Sequence, residues 1–183
     1  MSFYLSFLGA PGSGKGTQSS LIQELYNIDA FSTGDLIRSE VDKGTEIGIL
    51  AKDYILNGDL VPDKVIIEMF ESYVLNHNLI SKGFISDGYP RSLKQAESFV
   101  NLLNYGKFPL KIMYLDVSID TLKSRLLNRG RLDDNEKSIE RRFEVYNNVI
   151  ENLKSIFKNE LIYINGEQTP ENVFAEIKKY LTH

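Results

Sequence analysis

The sequence holds no cysteine. That excludes a disulfide framework, a thiolate nucleophile and every cysteine-ligated metal site. It fits the reducing cytoplasm without requiring it. Histidine is nearly absent: His77 and His183 are the only two, neither lies beside a motif, and both read as surface residues. No apolar run is long enough to span a bilayer. The opening stretch, MSFYLSFLGAPGSGKGT, has no basic segment and leads into glycines rather than a cleavage site, so it does not read as a signal peptide. An excess of positive charge is also missing. The 21 lysines and arginines against 25 acidic residues give a net charge of −4, which argues against nucleic acid or an anionic membrane as partner. What is present is a balance of 42% hydrophobic and 25% charged residues over 183 positions. That is one domain's length, and it can bury a core without cross-links.

No internal repeat or low-complexity stretch is visible; short apolar strands alternate with amphipathic helices. The strand candidates are Phe3–Leu8, Ala30–Ser32, Phe84–Ser86, Lys111–Val117 and Leu161–Ile164. Helices are predicted over Gln18–Tyr26, Pro62–His77, Leu93–Leu103, from the cap Ser118 through Leu127, Lys137–Phe157 and Pro170–Leu181. Repeated β-α order predicts an α/β fold, a parallel sheet with helices on both faces. Ligands bind such sheets at the carboxyl ends of the strands.

Chemistry does follow the first strand. Gly9-Ala10-Pro11-Gly12-Ser13-Gly14-Lys15-Gly16-Thr17 has the glycine and lysine spacing of a P-loop. Glycines let the backbone fold around an anion with several N–H groups turned inward, and the next helix adds its positive end. Lys15 then bridges the outer phosphates. The general motif puts Ser or Thr after the lysine to ligate magnesium. Here Gly16 comes first and Thr17 second, so a metal would be held more through water and nucleotide.

Arginine is scarce and concentrated. Of Arg38, Arg91, Arg125, Arg129, Arg131, Arg141 and Arg142, five lie between positions 125 and 142. Arginine grips phosphate oxygens with a planar fork and keeps its charge when partly desolvated. Arg125 and Arg129 share a helix face. Arg141 lies about 100° around the helix from Arg142 and is expected to face water. No general base accompanies the P-loop. Transfer to an alcohol or to water calls for one, whereas a phosphate acceptor is already anionic and needs cations to bring two polyanions in line. An arginine-rich, histidine-poor site suits a nucleotide-to-nucleotide kinase.

At this point the chain resembles the short-lid adenylate kinases of the nucleoside monophosphate kinase family, nearly end to end. The stretches that carry the likeness are GAPGSGKGT (9–17), STGDLIR (32–38), GDLVPD (58–63), FISDGYPRSLKQAE (84–97), RLLNRGRLDDN (125–135), IERRFEVY (139–146) and INGEQTPENVF (164–174). The resemblance implies a single kinase domain over 1–183 with a five-stranded parallel sheet. A small helical AMP-binding insert would span 32–61 and a very short lid 128–134.

It also implies roles. ATP would be held by Gly12, Ser13, Gly14, Lys15, Gly16 and Thr17, by Arg125 near its adenine, by Arg129 on phosphate and by Gln168 against the base. AMP would be held by Thr33 and Arg38, by main chain of Asp59, Leu60 and Val61, and by Gly88, Tyr89, Pro90 and Arg91. Gln95 would read its adenine. Lys15, Arg91, Arg129, Arg131 and Arg142 would act on the transferring group, the last two also on AMP. Asp87 would orient magnesium-bound water, and the bond before Pro90 is often cis in this family. Mg2+ with ATP is the implied cofactor, ATP and AMP the partners, ADP the product, and a cytoplasmic monomer the expected form. Only Gly130 separates Arg129 from Arg131, so this lid's backbone cannot wrap phosphate as the usual short lid does. Asp133 and Asp134 match the family's acidic pair and read equally as a lid anchor or a solvated loop. A UMP/CMP kinase on the same scaffold is the competing enzyme; Thr33 and Gln95 favour AMP. A regulatory module without turnover is the competing class, against which stand the retained Lys15 and arginines.

Overall fold

The computed structural model describes residues 2–131 and 133–181. His183 and position 132 of the expected lid lie outside them. Five strands, β1 (Tyr4–Leu8), β2 (Ala30–Ser32), β3 (Phe84–Asp87), β4 (Leu110–Asp116) and β5 (Leu161–Asn165), form one sheet in the order β2-β3-β1-β4-β5. Every pairing is parallel. Around it stand α1 (Lys15–Tyr26), α2 (Thr33–Lys43), α3 (Glu46–Asn57), α4 (Asp63–Asn76), α5 (Leu79–Lys82), α6 (Leu93–Leu103), α7 (Ile119–Arg129), α8 (Glu136–Ile156) and α9 (Pro170–Leu181). Among the described residues no helix is long and apolar enough to cross a membrane.

The two-residue alternation of strands divides the core. Tyr4 and Leu8 of β1 join Phe31, Phe70, Tyr89, Phe99 and Phe157 on one face. Phe3, Leu5 and Phe7 point the other way, onto Ile22 of α1 and Val173, Ile177 and Leu181 of α9. Both faces are covered, as a parallel sheet requires. Ser6 breaks the apolar run of β1 for a reason. Its hydroxyl and that of Ser86, its partner in the parallel register, both donate to the Tyr89 carbonyl, at 2.8 and 2.7 Å. The sheet thereby fixes the loop after β3, which contains the cis Tyr89–Pro90 bond.

Element ends follow local chemistry. Ser32, Thr45, Ser92, Ser118 and Asn135 cap α2, α3, α6, α7 and α8 with their side chains. Helix α1 starts at Lys15, three residues before the apolar pattern begins, because Gly14 turns left-handed at the loop's end. Helix α7 runs to Arg129, past Leu127, and stops at a left-handed Gly130. The short α5 has no signal in the apolar spacing. His77 is exposed and stacks on Tyr73.

Candidate active site

One cavity of about 720 Å³ opens along the carboxyl ends of the strands. At one end the loop between β1 and α1 folds so that Ser13 N–H donates to the Ala10 carbonyl at 3.1 Å. Gly12 and Gly14 take positive φ there, 85° and 97°, which side chains beyond glycine rarely adopt. Lys15 lies back along the loop, its Nζ donating to the carbonyls of Gly9 (2.8 Å) and Ala10 (2.9 Å). Burial lowers the Lys15 pKa to about 8, with Asp87 opposing the shift and the charges of Arg91 and Arg129 adding to it.

Glycine after the lysine gives the facing carboxylate room. A Cβ on Gly16 would stand 3.2 Å from Asp87 Oδ2. The bare backbone leaves the Asp87 carboxylate facing the loop, at the end of β3. Burial raises the Asp87 pKa, and the charges of Lys15 and Arg91 oppose that rise. Among the described residues no group of three or more acidic or histidine side chains could cage a metal. One carboxylate next to a phosphate loop fits a cation held chiefly by nucleotide and water.

Around α2 and the loop after β3 the second end is assembled. Thr33 Oγ1 donates to the Gly88 carbonyl at 2.7 Å, and Arg91 Nε donates to the same oxygen at 2.7 Å. Gly88 has φ 75°, which strains any side chain, and a Cβ there would lie 2.3 Å from the Arg91 guanidinium and displace it. Arg91 reaches cavity solvent but sits deep among protein atoms, and that burial lowers its pKa. Arg38 is paired with Asp35 one turn earlier. Gln95 is buried, its Oε1 accepting from the Arg91 N–H at 2.8 Å and its Nε2 donating to Asp63 at 2.8 Å.

Between the two ends stand the arginines of α7 and α8. Arg129 forms a bidentate pair with Asp134, 2.7 Å on both bonds. Arg142 donates to Asp134 at 2.9 Å and also pairs with Asp133. Asp133 is buried, and the Asp134 side chain is only 1% exposed, so the acidic pair is an anchor and not a solvated loop. Burial pushes the Asp134 pKa up, but bonds and charge from Arg129 and Arg142 outweigh it and hold the carboxyl below its ordinary value. Arg131 reaches the other way, to Asp35 of α2 at 3.8 Å. On the far side of the loop, Arg125 donates to the Gly166 carbonyl at 3.0 Å, beside Gln168.

Of the residues singled out from the sequence, Gly12 through Thr17, Thr33, Arg38, Asp59 through Val61, Asp87, Gly88, Arg91, Gln95, Arg125, Arg129, Arg131, Arg142 and Gln168 all line this cavity. Two do not. Tyr89 is fully buried and stacks on Phe70 at 4.0 Å in the core, and neighbouring Pro90 is buried with it, because the Ser6 and Ser86 hydroxyls draw the Tyr89 carbonyl down onto the sheet. Arg141 faces water as expected, and there it bonds to Asp59 at 2.6 Å and Glu144 at 2.7 Å. Sequence reasoning missed Asp35 and Asp63. Asp35 has a signal, its three-residue spacing from Arg38; Asp63 has none, since its partners are distant in the chain.

A phosphate loop, a carboxylate beside it, and arginines spaced along one cleft of a doubly covered parallel sheet define a P-loop phosphotransferase. Known proteins make the class specific. Residues 7–162 match the family model described as adenylate kinase. A Bacteroides fragilis protein named adenylate kinase is 44% identical over 178 residues, covering 93% of this chain and 94% of its own. Adenylate kinases of Trichodesmium erythraeum and Prochlorococcus marinus AS9601 are 40% and 38% identical, over 96% and 98% of this chain and 95% and 98% of theirs. The chain belongs to the adenylate kinase family, and it is a nucleoside monophosphate kinase.

Proposed function

We propose that the chain catalyses the reversible reaction ATP + AMP ⇌ 2 ADP. A single observation carries this reading: one cavity joins the phosphate loop to the Thr33–Arg38–Arg91–Gln95 end, with Arg129, Arg131 and Arg142 between. ATP would lie with its phosphates on Gly12–Thr17 and its base toward Arg125 and Gln168. AMP would lie at the opposite end, its phosphate on Arg38 and Arg91 and its adenine on Gln95. The α2–α3 pair, 32–61, would act as the AMP-binding insert and 128–134 as the lid, closing to exclude water that would compete as acceptor.

The acceptor is a phosphate oxygen of AMP, which attacks the γ-phosphorus of ATP as the bond to the β-γ bridging oxygen breaks. No proton need be removed from the acceptor when that phosphate is dianionic. The chain's part is to hold two polyanions in line and offset the charge on the oxygens in flight. Lys15 and Arg129 would do this from the donor side, Arg91 and Arg142 from the acceptor side. Arg129 and Arg142 are locked to Asp134, so they need little ordering when substrates bind. Magnesium, when bound with ATP, supplies further charge neutralisation on the phosphates; Asp87 would orient its water. The same reading makes the enzyme a cytoplasmic monomer. A coupled assay with AMP, CMP and UMP as acceptors tests it. AMP is expected to be turned over fastest, and faster turnover of CMP or UMP overturns the assignment.

A further inference from the structure

Asp63 closes the GDLVPD stretch, at the first turn of α4, and the reaction as described gives it no task. Its Oδ1 accepts two hydrogen bonds, from Ser92 Oγ at 2.8 Å and from Gln95 Nε2 at 2.8 Å. Ser92 in turn accepts the Gln95 N–H at 3.2 Å as the cap of α6. At the other end of the Gln95 amide, Oε1 takes the Arg91 N–H. A carboxylate can only accept and a backbone N–H can only donate. Flipping the amide would set Nε2 against the Arg91 N–H and Oε1 against Asp63. At 2% exposure, Gln95 has no water to repair either mismatch. The amide is therefore fixed from both ends by groups of opposite polarity, and it keeps one N–H and one lone pair for a ligand.

That fixed polarity has a consequence for the base. A 6-amino purine carries a donor at position 6 and an acceptor at position 1; a 6-oxo purine carries the reverse. An amide free to flip serves both, and a locked one serves only one order. We propose that Asp63 is a positioning residue that locks the Gln95 amide and thereby selects a 6-amino over a 6-oxo purine monophosphate, a role that rests on the assignment of Gln95 to the acceptor base. Leaving buried polar groups mispaired is the strong form of such discrimination.

Asp63→Asn is nearly isosteric and can rotate its own amide to donate, so it removes the mismatch at one end of a flipped Gln95 and leaves only that with the Arg91 N–H. Steady-state kinetics with AMP and inosine monophosphate compare the intact chain with Asp63→Asn, Gln95→Ala and the double variant. Asp63→Asn is expected to lower the ratio of kcat/KM for AMP over inosine monophosphate by about tenfold. The change should come through the two acceptor KM values, with kcat at saturating AMP and the KM for ATP within about twofold of the starting values. The double variant should match Gln95→Ala alone. Asp63→Ala, which removes the acceptor altogether, should lower the same ratio. An unchanged ratio in both Asp63 variants while Gln95→Ala collapses it overturns the role of Asp63. So does an equal fall for both acceptors with a lowered Tm, or a further fall in the double variant. A Gln95→Ala variant with an undiminished ratio instead overturns the base-reading assignment of Gln95, and the role of Asp63 goes with it.

Discussion

Nine consecutive residues, Gly9–Thr17, build one end of the cavity, whereas the other end and the middle draw on α2, the loop after β3, α6, α7 and α8. At the phosphate loop the positive field comes from backbone N–H groups, a helix start and a single lysine, with Asp87 as the facing carboxylate. Across the cleft the field comes from arginines, most of them already paired: Arg38 and Arg131 with Asp35, Arg129 and Arg142 with Asp134. The contrast teaches how an acidic chain can bind polyanions. One end concentrates backbone dipoles; the other holds guanidinium groups in place against carboxylates, with N–H groups left over for phosphate.

Breaking the lysine end should produce the largest effect. Lys15→Met should lower turnover by at least about a thousandfold, because it would delete the charge that the proposed mechanism sets opposite the transferring phosphoryl. It should leave the circular dichroism spectrum unchanged and the Tm no lower, since the charged lysine is held in a desolvating loop. Near-normal turnover would remove Lys15 from the mechanism.

At the arginine end, Asp134→Asn should cost about thirtyfold in kcat, since it releases both Arg129 and Arg142 from one geometry. It should also lower the Tm near neutral pH. The folded-state pKa of Asp134 lies below its ordinary 3.8, so its contribution to stability is complete above about pH 4 and is lost as pH falls through the lower folded value. Acid unfolding of the two proteins should therefore converge at low pH. A gap that persists below pH 2 would mean that Asp134 acts by packing and not by charge.

A milder probe returns to the lysine end. With the Lys15 pKa pushed down to about 8 in the free protein, nucleotide affinity should weaken above that pH by about tenfold per unit, because binding must restore the proton, until the pH passes the higher pKa of the lysine in the complex. On the stability side the sign is opposite to the usual lysine case. The folded pKa is depressed, so the cost of burying the charge is present below about pH 8 and fades as pH rises toward the ordinary 10.5. Binding calorimetry in buffers of different ionisation heat should show proton uptake above pH 8, absent in Lys15→Met. The smallest effect is expected from Arg141→Ala, which breaks an exposed pair with Asp59 and should change the KM for AMP less than about twofold. A larger change would assign Arg141 to the hold on 58–61.

How much of this was legible in the sequence depends on how local each feature is. The strands, the phosphate loop and the caps Ser118 and Asn135 depend on neighbours within a few residues, and of these all five strands, the loop and the Ser118 cap could be read directly. The apolar spacing left α2 and α3 unmarked; they pack on each other so closely that a Cβ on Gly48 would stand 2.0 Å from the Glu40 carbonyl, a fit made by backbone approach and not by an apolar stripe. Tyr89 was misplaced because nothing near it announces Ser6, 83 residues away, as the holder of its carbonyl. The acidic pair stood open between two readings until α8 brought Arg142 back onto it.

Composition and order alone determined a cysteine-free α/β chain with a phosphate loop after its first strand, because periodicity, glycine conformation and helix starts are short-range properties. Which carboxylate holds which arginine, what faces Gly16, and which way the Gln95 amide faces were decided only by the tertiary structure. Each depends on polar groups from separate elements meeting within about 3 Å, a distance that hydrogen bonding enforces and sequence separation does not reveal.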